Sequence, residues 1–134
     1  MHEVVKFVHH GADAITPRIL KNIHKHIPLL KMEFTQMDDP KVPHLVDQLE
    51  FLADLIEDFA EGVELDVPYC AIAEAAFALI YAHRRIDLIP EFVHDFGHVD
   101  DSVVVRCALI ENERSLALYA AKQWLNWKKI TTKP

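Results

Sequence analysis

Glycine is nearly missing from this sequence, with only Gly11, Gly62 and Gly97 among 134 residues. So few rule out a phosphate-cradling glycine loop, and they leave little material for the tight turns of a hairpin-rich β fold. Cysteine is scarcer still. Cys70 and Cys107 stand in apolar, helix-like surroundings without CxxC spacing. That excludes a zinc finger or disulfide framework and predicts two buried, reduced thiols in a cytoplasmic protein. No run of eighteen apolar residues occurs, because Glu74 interrupts the best stretch, 67–82, so a bilayer-spanning helix is not expected. The first ten residues have too short an apolar run for a secretory signal and no small-residue cleavage site. Ser-His-Asp order, HExxH and the HD pair of phosphohydrolases are also missing.

What is present is apolar and acidic. Hydrophobic residues make up 51% of the chain, ample for one core, and the length fits a single domain spanning 1–134. β-Branched residues are scattered rather than alternating with polar ones, which predicts an all-α fold. The net charge of −7 is unevenly placed. Residues 42–100 carry two Lys/Arg against thirteen Asp/Glu, whereas 1–41 and 101–134 are slightly basic. An acidic middle repels phosphate backbones, so nucleic acid is not an expected partner. Nine histidines would offset much of this charge if several were protonated.

Residues 2–10 suggest a short helix ending at Gly11. Thr16-Pro17 then reads as an N-cap followed by the first helical residue. From there Ile19, Leu20, Ile23, Ile27, Leu30, Phe34 and Met37 trace one apolar face, with a kink suggested at Pro28. Arg18, Lys21, Lys25 and Lys31 make the opposite face basic, and it reads as solvated. After the break at 38–43, Leu45, Leu49, Leu52, Ile56, Phe59 and Val63 define an amphipathic helix with an acidic outer face, stopped by Gly62. Asp66 and Pro68 open the next helix. Its body to residue 83 is apolar nearly all round, so 67–83 is expected at the centre of a bundle of four or five helices. Glu74 on this helix needs a partner, and Arg106 and Arg114 are the candidates. A last helix is expected over 101–127. It ends in Trp124, Trp127, Lys128 and Lys129, read as core tryptophans and a solvated tail, or else as a membrane-interface anchor.

Between the last two helices, Tyr81, Ile86-Asp87-Leu88-Ile89-Pro90-Glu91-Phe92, Gly97 and Asp100-Asp101 resemble the signature of the YkvA-like family, small bacterial domains of unknown function. The resemblance covers about 69–110. It implies a helical domain and no established activity. Arg84-Arg85, Glu91, His94-Asp95-Phe96 and His98 depart from the family pattern and make this turn more polar.

Two roles fit the turn. Asp87, Asp100 and Asp101 lie where backbone N–H groups need acceptors, which makes them caps. The alternative is a divalent metal held by Asp87, His94, His98, Asp100 and Asp101, against which Gly97 stands as a helix breaker between the two imidazoles. The expected function is a non-enzymatic protein-interaction or regulatory module without a cofactor, binding a protein partner or a second copy of itself. A metal-dependent hydrolase at the His94/His98/Asp100 turn and a peripheral membrane regulator are the alternatives.

Overall fold

A computed structural model describes residues 2–37, 39–83 and 100–134. The fold is all-α, and no strand occurs among these residues. Helix α1 spans His2–Asp13, α2 Pro17–Phe34, α3 Leu45–Ala60, α4 Tyr69–Ala82, α5 Asp101–Glu111, α6 Glu113–Lys122 and α7 Trp127–Ile130.

The expected centre is the observed one. Every residue of α4 from Ala71 to Ala82 is buried, and α1, α3 and α5 pack around it. The alanines on α4 permit this, since a helix touched on several sides needs short side chains for close approach. Helix α1 passes through Gly11 instead of ending there, because the glycine solves a packing problem rather than a capping one. A Cβ at Gly11 would stand 2.4 Å from the Phe77 ring.

Helix α2 begins as its sequence dictates, with Thr16 Oγ1 accepting from the Ile19 N–H at 3.2 Å and Pro17 opening the first turn. It continues through Pro28, which lies on the exposed side. Helix α3 buries Leu45, Leu49, Leu52 and Ile56 together with Gln48, Phe51, Ala53 and Leu55, a wider face than the seam read from the sequence. At its end Gly62 takes φ +77° while its N–H donates to Phe59 O and the Val63 N–H donates to Asp58 O. This is a Schellman closure, the reason a glycine stands there. The basic side of α2 is less solvated than expected. Lys31 Nζ meets Asp54 at 2.6 Å and Glu57 at 3.5 Å, and His24 meets Glu61 at 3.2 Å, so the outer faces of α2 and α3 pair.

The single last helix expected over 101–127 is divided into three. The polar step 111–114 breaks the apolar stripe, and the Asn112 amide donates to Ala108 O, closing α5. Asp100 caps α5 as expected, its Oδ1 accepting from the Ser102 N–H at 2.8 Å. Asp100→Ala should lower stability by about 0.5–2 kcal/mol in a denaturant titration, while Asp100→Asn, which keeps an acceptor, should stay close to wild type.

The C-terminal segment is tied down rather than free. Buried Gln48 donates to Thr131 O at 3.1 Å and to Lys133 O at 2.7 Å, and Trp127 packs edge-on against Phe51 at 5.7 Å. Trp124 departs from the expected core role. It is 96% exposed, with φ 60°, just beyond the end of α6.

Candidate functional site

The turn singled out by sequence lies mostly outside the described residues, Asp87, His94 and His98 among them. Asp100 and Asp101 are described, and Asp100 spends its carboxylate on the α5 cap. No group of three His, Cys, Asp or Glu side chains among the described residues converges closely enough to hold a metal ion.

A different polar cluster stands where α1, α4 and α5 meet. Glu74 is buried on α4, as the apolar character of that helix requires. Its neighbours are not the expected arginines. Arg106 turns its Nε back to Ser102 O, and Arg114 is exposed on α6. Instead His9 Nε2 of α1 stands 3.8 Å from Glu74 Oε1 and 3.5 Å from Glu111 Oε1 of α5. The first distance is too long for a hydrogen bond, and Glu74 Oε1 has no hydrogen-bond partner. Only Glu74 carried a sequence signal here. His9 was one of several scattered histidines, and Glu111 one of several acidic residues.

Burial pushes the Glu74 carboxyl upward, with Glu111 adding to the shift and His9 and the Asn112 side chain opposing it. A folded-state pKa above the ordinary 4.5 means that the folded protein binds a proton more tightly than the unfolded chain. The associated stability is complete below about pH 4.5 and is lost as pH rises through the raised value. Wild type should therefore lose stability relative to Glu74→Gln between acid and neutral pH. Paired urea titrations across that range measure this difference.

The cluster opens onto a cleft of about 660 Å³ lined by residues of α1 and the start of α4, including His9, Asp13, Ile15, Tyr69, Ala73 and Glu74. Tyr69 donates its hydroxyl to Ile15 O at 2.9 Å, which bridges the Ile15 backbone to α4. Cys70 lies on this cleft and is exposed, contrary to the expectation of two buried thiols, because it falls in the first turn of α4 before the helix enters the core. Cys107 is buried as expected. Burial first, then the charges of Glu111 and Glu74, pushes its thiol up to about 11, leaving it a poor nucleophile.

A second, smaller cleft of about 440 Å³ lies between the loop before α4 and α6, lined by Asp66, Val67, Ser115, Leu118, Tyr119 and Lys122. Asp66 does not cap α4 as its position suggested. It meets Lys122 Nζ at 2.5 Å, while buried Glu64 accepts from the Asp66 and Val67 N–H groups. Behind this cleft Tyr119 donates to Asp58 Oδ2 at 2.6 Å, and burial together with that bond raises the phenol far above its usual range. Leu118 on its lining is 65% exposed, and Leu65, next to Asp66 in the loop, is 81% exposed.

No helix among the described residues is long and apolar enough to cross a membrane. Comparison with protein-family models, with characterised proteins and with solved structures finds no match for this chain.

Proposed function

We propose that this protein is a non-enzymatic helical interaction module that pairs with a second copy of itself along the edge formed by the loop before α4 and by α6. The observation that carries this reading is the exposure of Leu65 and Leu118 beside a cleft whose charged rim, Asp66 and Lys122, holds both signs. Large apolar side chains gathered at one exposed edge mark an association surface. Asp66 and Lys122 neutralise each other within one chain, so this edge does not repel a second copy under twofold symmetry. We place the module in the cytoplasm, a compartment in keeping with two free thiols, and in the YkvA-like family on the strength of the 81–101 signature alone.

Sedimentation over a concentration series is the test. Wild type is expected to dimerise, and Leu65→Asp or Leu118→Asp, both at exposed positions, should hold the chain as a folded monomer. A monomeric wild type at every concentration would overturn the pairing. Trp124, fully exposed beside the exposed Lys122, Lys128 and Lys129, favours a second reading, a peripheral membrane regulator. Flotation with anionic vesicles that is lost in Trp124→Ala would support it.

A further inference from the structure

We propose that the cleft between α1 and the start of α4 binds a small organic cation, a primary alkylammonium ion whose head meets Glu74 Oε1 and whose alkyl body lies on Ile15, Ala73 and the Tyr69 ring.

The charge lining the cleft selects the sign of the ligand. Asp13 and Glu74 line it, and Glu111 lies 3.5 Å from His9, so phosphates and carboxylates meet only repulsion from these acids. Glu74 selects the head group. Its side chain is 7% exposed and its Oε1 has no hydrogen bond, so a buried acceptor borders the cleft with no donor on it, only His9 Nε2 at 3.8 Å. Leaving such a group unmet is costly, and an ammonium N–H is the donor that relieves the cost most fully. The absence of three converging ligands among the described residues argues against a bare metal ion as occupant. The apolar part of the lining selects the body. Ala12, Ile15 and Ala73 offer hydrocarbon, and the face of Tyr69 is a surface on which a cation or its methylene groups can rest.

His9 acts as a built-in competitor. When protonated it is the cation nearest to both Glu74 and Glu111, and it is half exposed, so an incoming ammonium can displace it toward solvent. The other titratable groups nearby are Asp13 on α1 and Cys70 on α4, which line the same cleft, and Glu111 and Cys107 on α5, which feel the Glu74 charge. Burial pushes the Glu74 carboxyl upward, and an ammonium head beside it would push it back down, so binding favours release of a proton.

The test uses the full chain with n-butylammonium as probe and n-butanol as neutral control, followed by backbone amide shifts and by calorimetry in two buffers of different ionisation heat. Butylammonium is expected to shift the amides of Ala12, Ala73 and Glu74, with a buffer-dependent heat that reports proton release, and butanol should leave them unmoved. Glu74→Gln, an isostere that keeps the fold, should weaken binding by about tenfold or more. His9→Ala should tighten binding, a change that a purely structural histidine would not produce. Silence of the wild-type amides toward butylammonium, equal binding by Glu74→Gln, or equal response to butanol would each overturn the proposal. None of these outcomes depends on whether the chain dimerises.

Discussion

Phe77→Ala is expected to destabilise the protein by about 3–5 kcal/mol, a large share of the roughly 5–15 kcal/mol that keeps an ordinary domain folded. Phe77 is fully buried on the central helix, where its ring meets Phe7 edge-on at 5.3 Å and Tyr81 at 5.9 Å. Removing it takes away the apolar contacts of the ring and leaves a cavity that helices held on three sides cannot close. It also strips Gly11 of its reason for being glycine. In wild type, Gly11→Ala drives a Cβ into the Phe77 ring, and an overpacking cost of about 1–3 kcal/mol outweighs the roughly 1 kcal/mol that alanine gains over glycine within a helix. In the Phe77→Ala background the clash is gone, so Gly11→Ala should turn stabilising. Urea titration of the four proteins of this cycle measures the reversal. Additive behaviour would show that the two residues do not touch.

The same pair shows what was legible in the sequence. That α4 is central could be read directly, because apolar residues on nearly every face leave a helix nowhere to go but inside. The pairing of α1 with it could not. A glycine eleven residues into the chain looks like a stop signal when only local chemistry is visible, and the ring that requires it lies sixty-six residues away. Capping by Thr16 and Asp100 and closure by Gly62 were legible for the converse reason: each answers a need of neighbouring backbone, satisfied within five residues.

The candidate site divides along the same line. That Glu74 would be buried and in need of company followed from its helix. That the company would be His9 and Glu111 rather than an arginine depended on which faces of α1 and α5 turn inward. For α5 the pattern is weak, since Val104, Val105, Cys107, Ala108 and Leu109 are all buried and leave no clear polar stripe. The exposed edge at Leu65 and Leu118 was hidden as well. Leucines at helical spacing, or next to a proline-led helix start, read as core until the packing shows otherwise.

Glu64→Ala is the second substitution expected to have a large effect, at roughly 2–4 kcal/mol, although Glu64 looks in the sequence like one more acid on an acidic segment. It is 3% exposed, and its Oε2 accepts from the N–H groups of Asp66 at 2.6 Å and Val67 at 2.8 Å. Helix α4 starts with Pro68 at its cap position and no side-chain cap of its own, so this carboxylate holds the turn that delivers the chain into the central helix. Alanine would leave the buried Val67 N–H without an acceptor and free the loop. Lys122, which meets Glu64 Oε1 at 3.2 Å, adds little by comparison, being exposed and also engaged by Asp66. The ordering expected from urea midpoints is therefore Glu64→Ala well below Glu64→Gln, whose amide oxygen still accepts, with Lys122→Ala close to wild type. Amide exchange at Asp66 and Val67 should accelerate in Glu64→Ala and stay slow in Lys122→Ala. A loss in Lys122→Ala as large as that in Glu64→Ala would mean that the ion pair, not the backbone, is what this carboxylate serves.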